Sequence, residues 1–161
     1  MWIELPAPWI LAINLLGIPA VHLLVSWAAT RLPVSLFQRD RPRRRVSSWE
    51  LPFYERVFLI RRWKRQLPDA APWFKGFSKG SLASTDPGYL RDFIAETRRG
   101  EFSHWIQWAV ISGFVAWNPF PASLVIIGYA ALSNLPCIVS LRHTRLRLAS
   151  FRDRLGRRQR S

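Results

Sequence analysis

The sequence predicts an all-α integral membrane protein with about three transmembrane helices and a cytoplasmic interfacial amphipathic helix. Residues 1–30 and 100–141 contain no lysine or arginine, and all 24 of these residues lie in 31–99 and 142–161. A soluble basic protein spreads its charge over its whole surface, whereas alternating uncharged and basic blocks are typical of membrane proteins.

The composition excludes several other classes of protein. A formal charge of +14 alone would favour a nucleic-acid or anionic-surface partner. However, 49% of the residues are hydrophobic, including nine tryptophans, and the basic residues adjoin apolar blocks without forming a nucleic-acid motif. We therefore predict membrane lipids and no nucleic acid as partners. The single cysteine, Cys137, cannot form an intramolecular disulfide, and no Cys/His cluster predicts a metal or cofactor.

The first uncharged block has the length of one membrane span. Residues 8–30 would form a helix of about 34 Å at about 1.5 Å per residue, enough for a bilayer core of about 30 Å. A cleaved signal peptide is the alternative interpretation. It is disfavoured because the N-terminus carries Glu4 in place of a basic region, and no clear small-x-small cleavage site follows.

The second uncharged block is divided by two prolines. Asn118-Pro119-Phe120-Pro121 cannot continue a helix and is typical of a tight turn. It leaves spans near 102–118 and 122–141. A re-entrant hairpin is the alternative, but two full spans return the chain to the side where the basic tail belongs.

The distribution of lysine and arginine predicts the orientation. Sixteen lie in 31–99 and eight in 142–161, whereas the N-terminus and the proline turn have none. The positive-inside rule then places the N-terminus outside and the C-terminus in the cytoplasm of a multi-pass cell-membrane protein. The chain forms a single domain, 1–161, with a cytoplasmic segment at 31–101 and a basic tail at 142–161.

The cytoplasmic segment is predicted to contain an amphipathic helix in the headgroup layer. Ser47 or Ser48 can cap a helix that starts at Trp49, with Glu50 placed for a capping box. Apolar and aromatic residues recur at helical spacing among arginines up to Leu67, which suits rings at the acyl boundary and guanidinium groups on phosphates.

Beyond this helix, residues 70–88 are loop-like and rich in proline, glycine and serine. A further helix is predicted to begin after Pro87, because Tyr89, Phe93 and Ile94 form an apolar stripe that leads towards the second span.

Several motifs in order along the chain resemble one family. The segments IRRWKRQLPD at 60–69 and ETRRGEFSHW at 96–105 look like the membrane acyltransferase family typified by glycosyl-4,4'-diaponeurosporenoate acyltransferase. Further matches are Arg31-Leu32-Pro33, Tyr129-Ala130 and Asn134-Leu135-Pro136. There are two departures: Ala70 stands where a glycine often follows, and Leu141-Arg142-His143-Thr144 replaces a Q-R-Y-N-like run.

The resemblance implies a membrane O-acyltransferase. Members of the family esterify a sugar hydroxyl of a glycosylated carotenoid with a fatty acyl chain, so the expected partners are acyl-CoA or acyl carrier protein and a carotenoid or similar lipid glycoside. A non-catalytic membrane adaptor or assembly subunit, which docks partners on its basic-aromatic helix, is the alternative.

The start of the second span carries residues that suit acyl transfer. His104 can take the hydroxyl proton as the thioester carbonyl is attacked. Glu101 lies three residues earlier on the same side of a helix, and Glu96 lies about 80° away around the axis, so either carboxylate could orient the imidazole. The alternative is that His104 only marks the interface beside Trp105 and Trp108.

Two further groups of residues complete the predicted site. His22 is an ionisable residue within the first span, for which packing through a hydrogen bond to another helix is the favoured interpretation. A set of basic residues on the predicted cytoplasmic face would attract the phosphates of acyl-CoA or an acidic carrier protein, although anionic lipid would suit them as well. These candidate donor-binding residues are Arg61, Arg62, Lys64, Arg98, Arg99, Arg142 and Arg145.

Overall fold

The computed structural model describes residues 2–38, 47, 49–66 and 84–158. Within these ranges the secondary structure is entirely helical, which confirms the predicted all-α class. The helices are α1 (Ala7–Arg31), α2 (Glu50–Val57), α3 (Ile60–Trp63), α4 (Pro87–Ser112) and α5 (Phe120–Arg158). Short 3₁₀ segments follow α1 at Val34–Phe37, α3 at Lys64–Gln66 and α4 at Gly113–Ala116.

Helices α1 and α5 are long and apolar enough to cross a membrane. The bounds of α1 lie within one residue of the predicted span 8–30. Its leucines point away from the protein, and Leu15 and Leu16 are 67% and 70% exposed. Exposed apolar side chains in such a continuous run suit a lipid environment, and together the two helices indicate that the protein associates with a membrane.

Helix α4 is longer than the predicted second span. It begins at Pro87, where the Asp86 side chain accepts a hydrogen bond from the Tyr89 backbone N–H at 3.0 Å, so the predicted helix start after Pro87 is confirmed. The same helix then runs without interruption to Ser112. Only the part of α4 from 102 onwards coincides with the predicted span.

Helix α5 begins directly after Pro119 and continues far beyond the apolar block. Its 39 residues correspond to about 58 Å, roughly twice the thickness of a bilayer core. The predicted basic tail is therefore a continuation of the same helix as far as Arg158. Beyond the apolar block, Leu148 packs against Leu90, Phe93 and Ile94, so α4 and α5 form an antiparallel pair outside the predicted spans.

The predicted interfacial helix is interrupted. Ser47 N–H donates to Glu50 Oε2 at 2.9 Å, which is one half of the predicted capping box. However, Leu59 adopts a left-handed conformation, with φ 46° and ψ 34°, and separates α2 from the single turn of α3. The prediction of one continuous helix towards Leu67 is therefore wrong at this residue, because a left-handed residue cannot continue a right-handed helix.

Some sequence predictions lie outside the described residues. These are the end of the interfacial helix at Leu67, the cap at Ser48, most of the predicted loop 70–88 and the last residues of the tail.

A polar contact joins α1 to the turn between α4 and α5. Asn14 and Asn118 form a reciprocal amide pair, with Asn14 Nδ2 donating to Asn118 Oδ1 at 2.7 Å and Asn118 Nδ2 donating back at 3.1 Å. Next to it, a Cβ atom added at Gly17 would lie 3.1 Å from the Phe114 ring, so glycine permits the close approach of these helices.

Candidate active site

Glu101 links α4 to α5 at the end of the predicted spans. Its side chain is buried, Arg142 Nε donates to Oε1, and an Arg145 nitrogen donates to Oε2 at 2.5 Å. Burial raises the pKa of Glu101, but the charges and hydrogen bonds of Arg145 and Arg142 outweigh it, so that the pKa lies below its ordinary value. The carboxylate is therefore ionised and engaged by both arginines.

His104 faces an amide on α5. Its Nδ1 lies 3.0 Å from Oδ1 of Asn134, a residue with no exposed surface. The amide nitrogen of Asn134 donates to Ala130 O at 3.0 Å and to Ser133 Oγ at 3.1 Å, which fixes the orientation of the amide. Because the oxygen then accepts from Nδ1, neutral His104 carries its proton at Nδ1 and its basic lone pair at Nε2.

The two predicted carboxylate partners have other contacts. Both carboxylate oxygens of Glu101 accept hydrogen bonds from Arg142 and Arg145, and Glu96 pairs with Arg99 at 2.8 Å. Glu96 also lies eight residues before His104, or about 12 Å along the helix axis. Spacing within the helix predicted a carboxylate beside this imidazole, whereas the structure places the amide of Asn134 at Nδ1.

The predicted donor-binding residues divide into groups with different contacts. Arg99 lies 3.4 and 3.3 Å from Thr30 O and Leu32 O, at the end of α1. Arg98 donates to Phe37 O at 2.9 Å, at the end of the 3₁₀ segment that follows α1.

The remaining predicted donor-binding residues lie near α2, α3 and α5. Arg61 is exposed and pairs with Glu55 at 2.9 Å, and Arg62 is exposed. Lys64 donates to Thr144 Oγ1 at 2.6 Å. Arg142 and Arg145 are the pair that holds Glu101. The basic residues are thus grouped at the same end of the helix bundle as His104.

His143 was given no role from the sequence, yet it is almost completely buried. Its Nε2 lies 3.4 Å from Glu55 Oε1, and its Nδ1 has no hydrogen-bond partner among the described residues. The one indication in the sequence that His143 has a structural role was the departure from the family pattern at 141–144. For Asn134, the signal was a polar side chain within an apolar span.

The described part of the chain contains no group of three or more histidine, cysteine, aspartate or glutamate residues that could hold a metal ion. The polar site is built from an imidazole, an amide and arginines, in the middle part of the α4–α5 pair. These features define a small helical membrane protein with a polar site beside the apolar region.

The family follows from comparison with known sequences. Residues 33–154 match the family model of glycosyl-4,4'-diaponeurosporenoate acyltransferase. Because the match covers most of the chain, the protein belongs to this acyltransferase family, which confirms the resemblance noted in the sequence and favours an enzyme over an adaptor.

Curated relatives carry the same name. A glycosyl-4,4'-diaponeurosporenoate acyltransferase of Staphylococcus haemolyticus (strain JCSC1435) is 29% identical over 134 residues, which cover 81% of this chain and 78% of the relative. Another from Staphylococcus aureus (strain bovine RF122 / ET3-1) is 27% identical over 143 residues, covering 86% and 85%. No solved structure matches the chain.

Proposed function

We propose that this protein transfers a fatty acyl group from acyl-CoA or acyl carrier protein to a sugar hydroxyl of a carotenoid or similar lipid glycoside. The names of the family and the relatives support this reaction class and acceptor. The observation that carries the assignment of the site is the contact of 3.0 Å between His104 Nδ1 and Asn134 Oδ1. It leaves Nε2 as the basic nitrogen of the imidazole.

In the proposed reaction, His104 Nε2 removes the proton from the sugar hydroxyl as its oxygen attacks the thioester carbonyl. The new C–O bond forms, the C–S bond breaks, and the thiolate leaves with the proton that the imidazolium returns. Asn134 holds the ring in the required tautomer, a role that carboxylates and amides share in catalytic triads. Glu101 supports the site by fixing α4 against α5, and Glu96 supports it through Arg99.

The proposed donor site is the basic surface near α2 and α3. Acyl-CoA carries a pyrophosphate and a ribose phosphate, which exposed arginines bind through charge-assisted hydrogen bonds. Arg61 and Arg62 are exposed there, whereas Arg99 contacts the end of α1 and Arg98 contacts the 3₁₀ segment after it. We therefore assign first contact with the donor to Arg61, Arg62 and Lys64.

The proposed topology has three spans, formed by α1, the part of α4 beyond residue 101, and α5 as far as residue 141. The N-terminus lies outside, and the site opens to the cytoplasmic interface. The exposed aromatic residues at the start of α2, Trp49 just before the helix and Phe53 within it, lie in the lipid headgroup layer.

The test is acyl transfer by purified protein in nanodiscs, with acyl-CoA and a lipid glycoside. His104→Ala should insert normally but lose about 10²–10⁴-fold in kcat, the range that a general base contributes. Trp108→Phe is the matched control for an aromatic anchor and should keep near-normal kcat. Normal kcat in His104→Ala would show that His104 is not the base, and a wild-type protein without turnover would favour the adaptor.

A further inference from the structure

A second histidine–amide pair lies deeper in the bundle, where α1, α4 and α5 meet. Nδ1 of His22 is 2.9 Å from Oε1 of Gln107, which is buried. Nε2 of Gln107 donates to Ser26 Oγ at 2.9 Å and is 3.3 Å from Ser103 Oγ. These contacts fix the amide, so neutral His22 carries its proton at Nδ1 and its lone pair at Nε2.

The lone pair of His22 faces a tyrosine. The hydroxyl oxygen of Tyr129 lies 3.3 Å from Nε2 of His22, and the two rings meet edge to face at 6.0 Å. Since Nε2 accepts, the Tyr129 hydroxyl donates its hydrogen inward and retains only acceptor lone pairs for other groups. Tyr129 is also 44% exposed. It therefore presents an acceptor that selects a hydroxyl or amine donor over a carbonyl.

This tyrosine is linked along α5 to the proposed base. Asn134 Nδ2 donates to Ser133 Oγ, which in turn donates to the backbone oxygen of Tyr129 at 2.8 Å. Tyr129 precedes Asn134 by five residues, or about 7.5 Å along the helix axis and about 140° around it. Tyr129 lies on the side of Asn134 that faces the bilayer interior.

Helix packing alone does not account for this arrangement. Polar and ionisable groups within a membrane are costly and concentrate at functional sites, and apolar residues would pack three helices equally well. Here His22, Gln107 and two serines fix the direction of one exposed hydroxyl.

We propose that Tyr129 is a specificity-determining residue for the acceptor. Its oxygen accepts a hydrogen bond from a sugar hydroxyl other than the one that His104 deprotonates, with His22 and Gln107 as positioning residues. The assignment rests on the proposed function, because it takes the acceptor to be a lipid glycoside whose apolar chain lies in the bilayer. The sugar then lies along α5, with one hydroxyl at each histidine–amide pair.

The test measures binding without an acyl donor, so that it does not depend on turnover. The probes are a glucosyl ester of a long polyene acid and its monodeoxy analogues, and the protein is held in nanodiscs. In the wild type, one monodeoxy analogue should bind roughly 3- to 10-fold more weakly than the parent glycoside, because it loses one hydrogen bond. This analogue is not the one that lacks the acylated hydroxyl. Tyr129→Phe should bind that analogue and the parent glycoside equally well, with the other analogues ranked as in the wild type.

Two comparisons make the result specific. Tyr89→Phe, which removes a tyrosine hydroxyl outside the proposed spans, should keep the full wild-type pattern. Gln107→Met should weaken the same discrimination as Tyr129→Phe, because His22 is then free to take the other tautomer. If Tyr129→Phe discriminates as the wild type does, or weakens all analogues equally while lowering thermal stability, Tyr129 only fastens α5 to α1. Selective binding without acyl transfer would contradict the proposed reaction but leave the Tyr129 subsite intact.

Discussion

Nε2 of His143 lies 3.4 Å from Oε1 of Glu55, and this contact joins the part of α5 beyond residue 141 to α2. Burial lowers the pKa of His143; the hydrogen bond to Glu55 opposes this effect, and the charges of Lys64 and Arg147 reinforce it, so the pKa lies below its ordinary value of 6.5. Burial alone would raise the pKa of Glu55, but hydrogen bonds and charges from His143 and Arg61 lower it overall. The folded protein therefore keeps His143 neutral beside an ionised Glu55.

This pair predicts how stability depends on pH. The folded state binds a proton at His143 less readily than the unfolded state, so stability is complete above about pH 6.5 and falls as the pH drops below it. The thermal unfolding midpoint in nanodiscs should decrease by about 2–4 °C for each kcal/mol lost. Glu55 contributes only below its ordinary value of 4.5, outside this range.

His143→Tyr is the control for that measurement, because it keeps a large ring and removes the titrating group. Its midpoint should be nearly constant between about pH 7.5 and pH 5.5. An equal decrease in both proteins would assign the pH dependence to another group.

Substitutions of Asn134 should separate its role at His104 from simple packing. Asn134→Ala removes the acceptor at Nδ1 and should lower kcat, with a smaller change in KM, because the ring loses its fixed tautomer. Asn134→Asp restores an acceptor that also stabilises the imidazolium, so it should recover part of the lost kcat. Steady-state kinetics check both, and equal activity of the Ala and Asp variants would contradict the orienting role.

Glu101→Gln should affect stability more than chemistry. The amide cannot hold two guanidinium groups, and loss of hydrogen bonds to charged groups costs about 1–3 kcal/mol. Turnover should fall less than in His104→Ala. A double-mutant cycle with Arg145→Met measures the coupling, and Glu96→Gln is the comparison for a carboxylate that pairs within its own helix. A greater loss of kcat in Glu101→Gln than in His104→Ala would make the carboxylate the base.

The arginines should divide into donor-binding and structural residues. Replacing Arg61, Arg62 and Lys64 with alanine should raise the KM for acyl-CoA and reduce its dependence on salt, because ions screen attraction to phosphate. Arg99→Ala should instead lower thermal stability, since the carbonyls of Thr30 and Leu32 lose a donor. Unchanged donor KM with weaker membrane association in the first variant would assign those residues to lipid headgroups.

Reporter fusions test the topology directly. A reporter after Ser161 should lie in the cytoplasm, and one inserted at Asn118 should lie outside, because α4 and α5 then both cross the bilayer. If both reporters lie on the same side, the re-entrant hairpin is the remaining topology for residues 102–141.

Much of the fold could be predicted because it depends on composition over long stretches. The absence of lysine and arginine before Arg31 defined α1 to within a residue. The prolines located the turn before α5, although the predicted turn was two residues too long, because Phe120 and Pro121 already belong to the first turn of α5. The apolar periodicity at Phe93 and Ile94 likewise predicted the start of α4. In each case the deciding signal is local.

The features that could not be predicted depend on tertiary contacts or local exceptions. Leucine has no preference for a left-handed conformation, so nothing in the pattern marks the break at Leu59. The charges after 141 indicate where the apolar block ends but not that the helix continues, because Leu148 acquires its partners on α4 only in the folded chain. The partners of His104 and Glu101 lie on α5, so spacing within α4 alone indicated a carboxylate for the imidazole.

The amide pair between Asn14 and Asn118 has a consequence for biosynthesis. The partner of Asn14 is made 104 residues later than Asn14, and Gln107 is made 85 residues later than His22. At a synthesis rate of about 5–20 residues per second, these partner groups are made several seconds after α1. In the proposed topology the nascent α1 thus meets lipid with polar groups unpaired, which is costly. Its stable insertion is completed only when α4 leaves the ribosome and joins it.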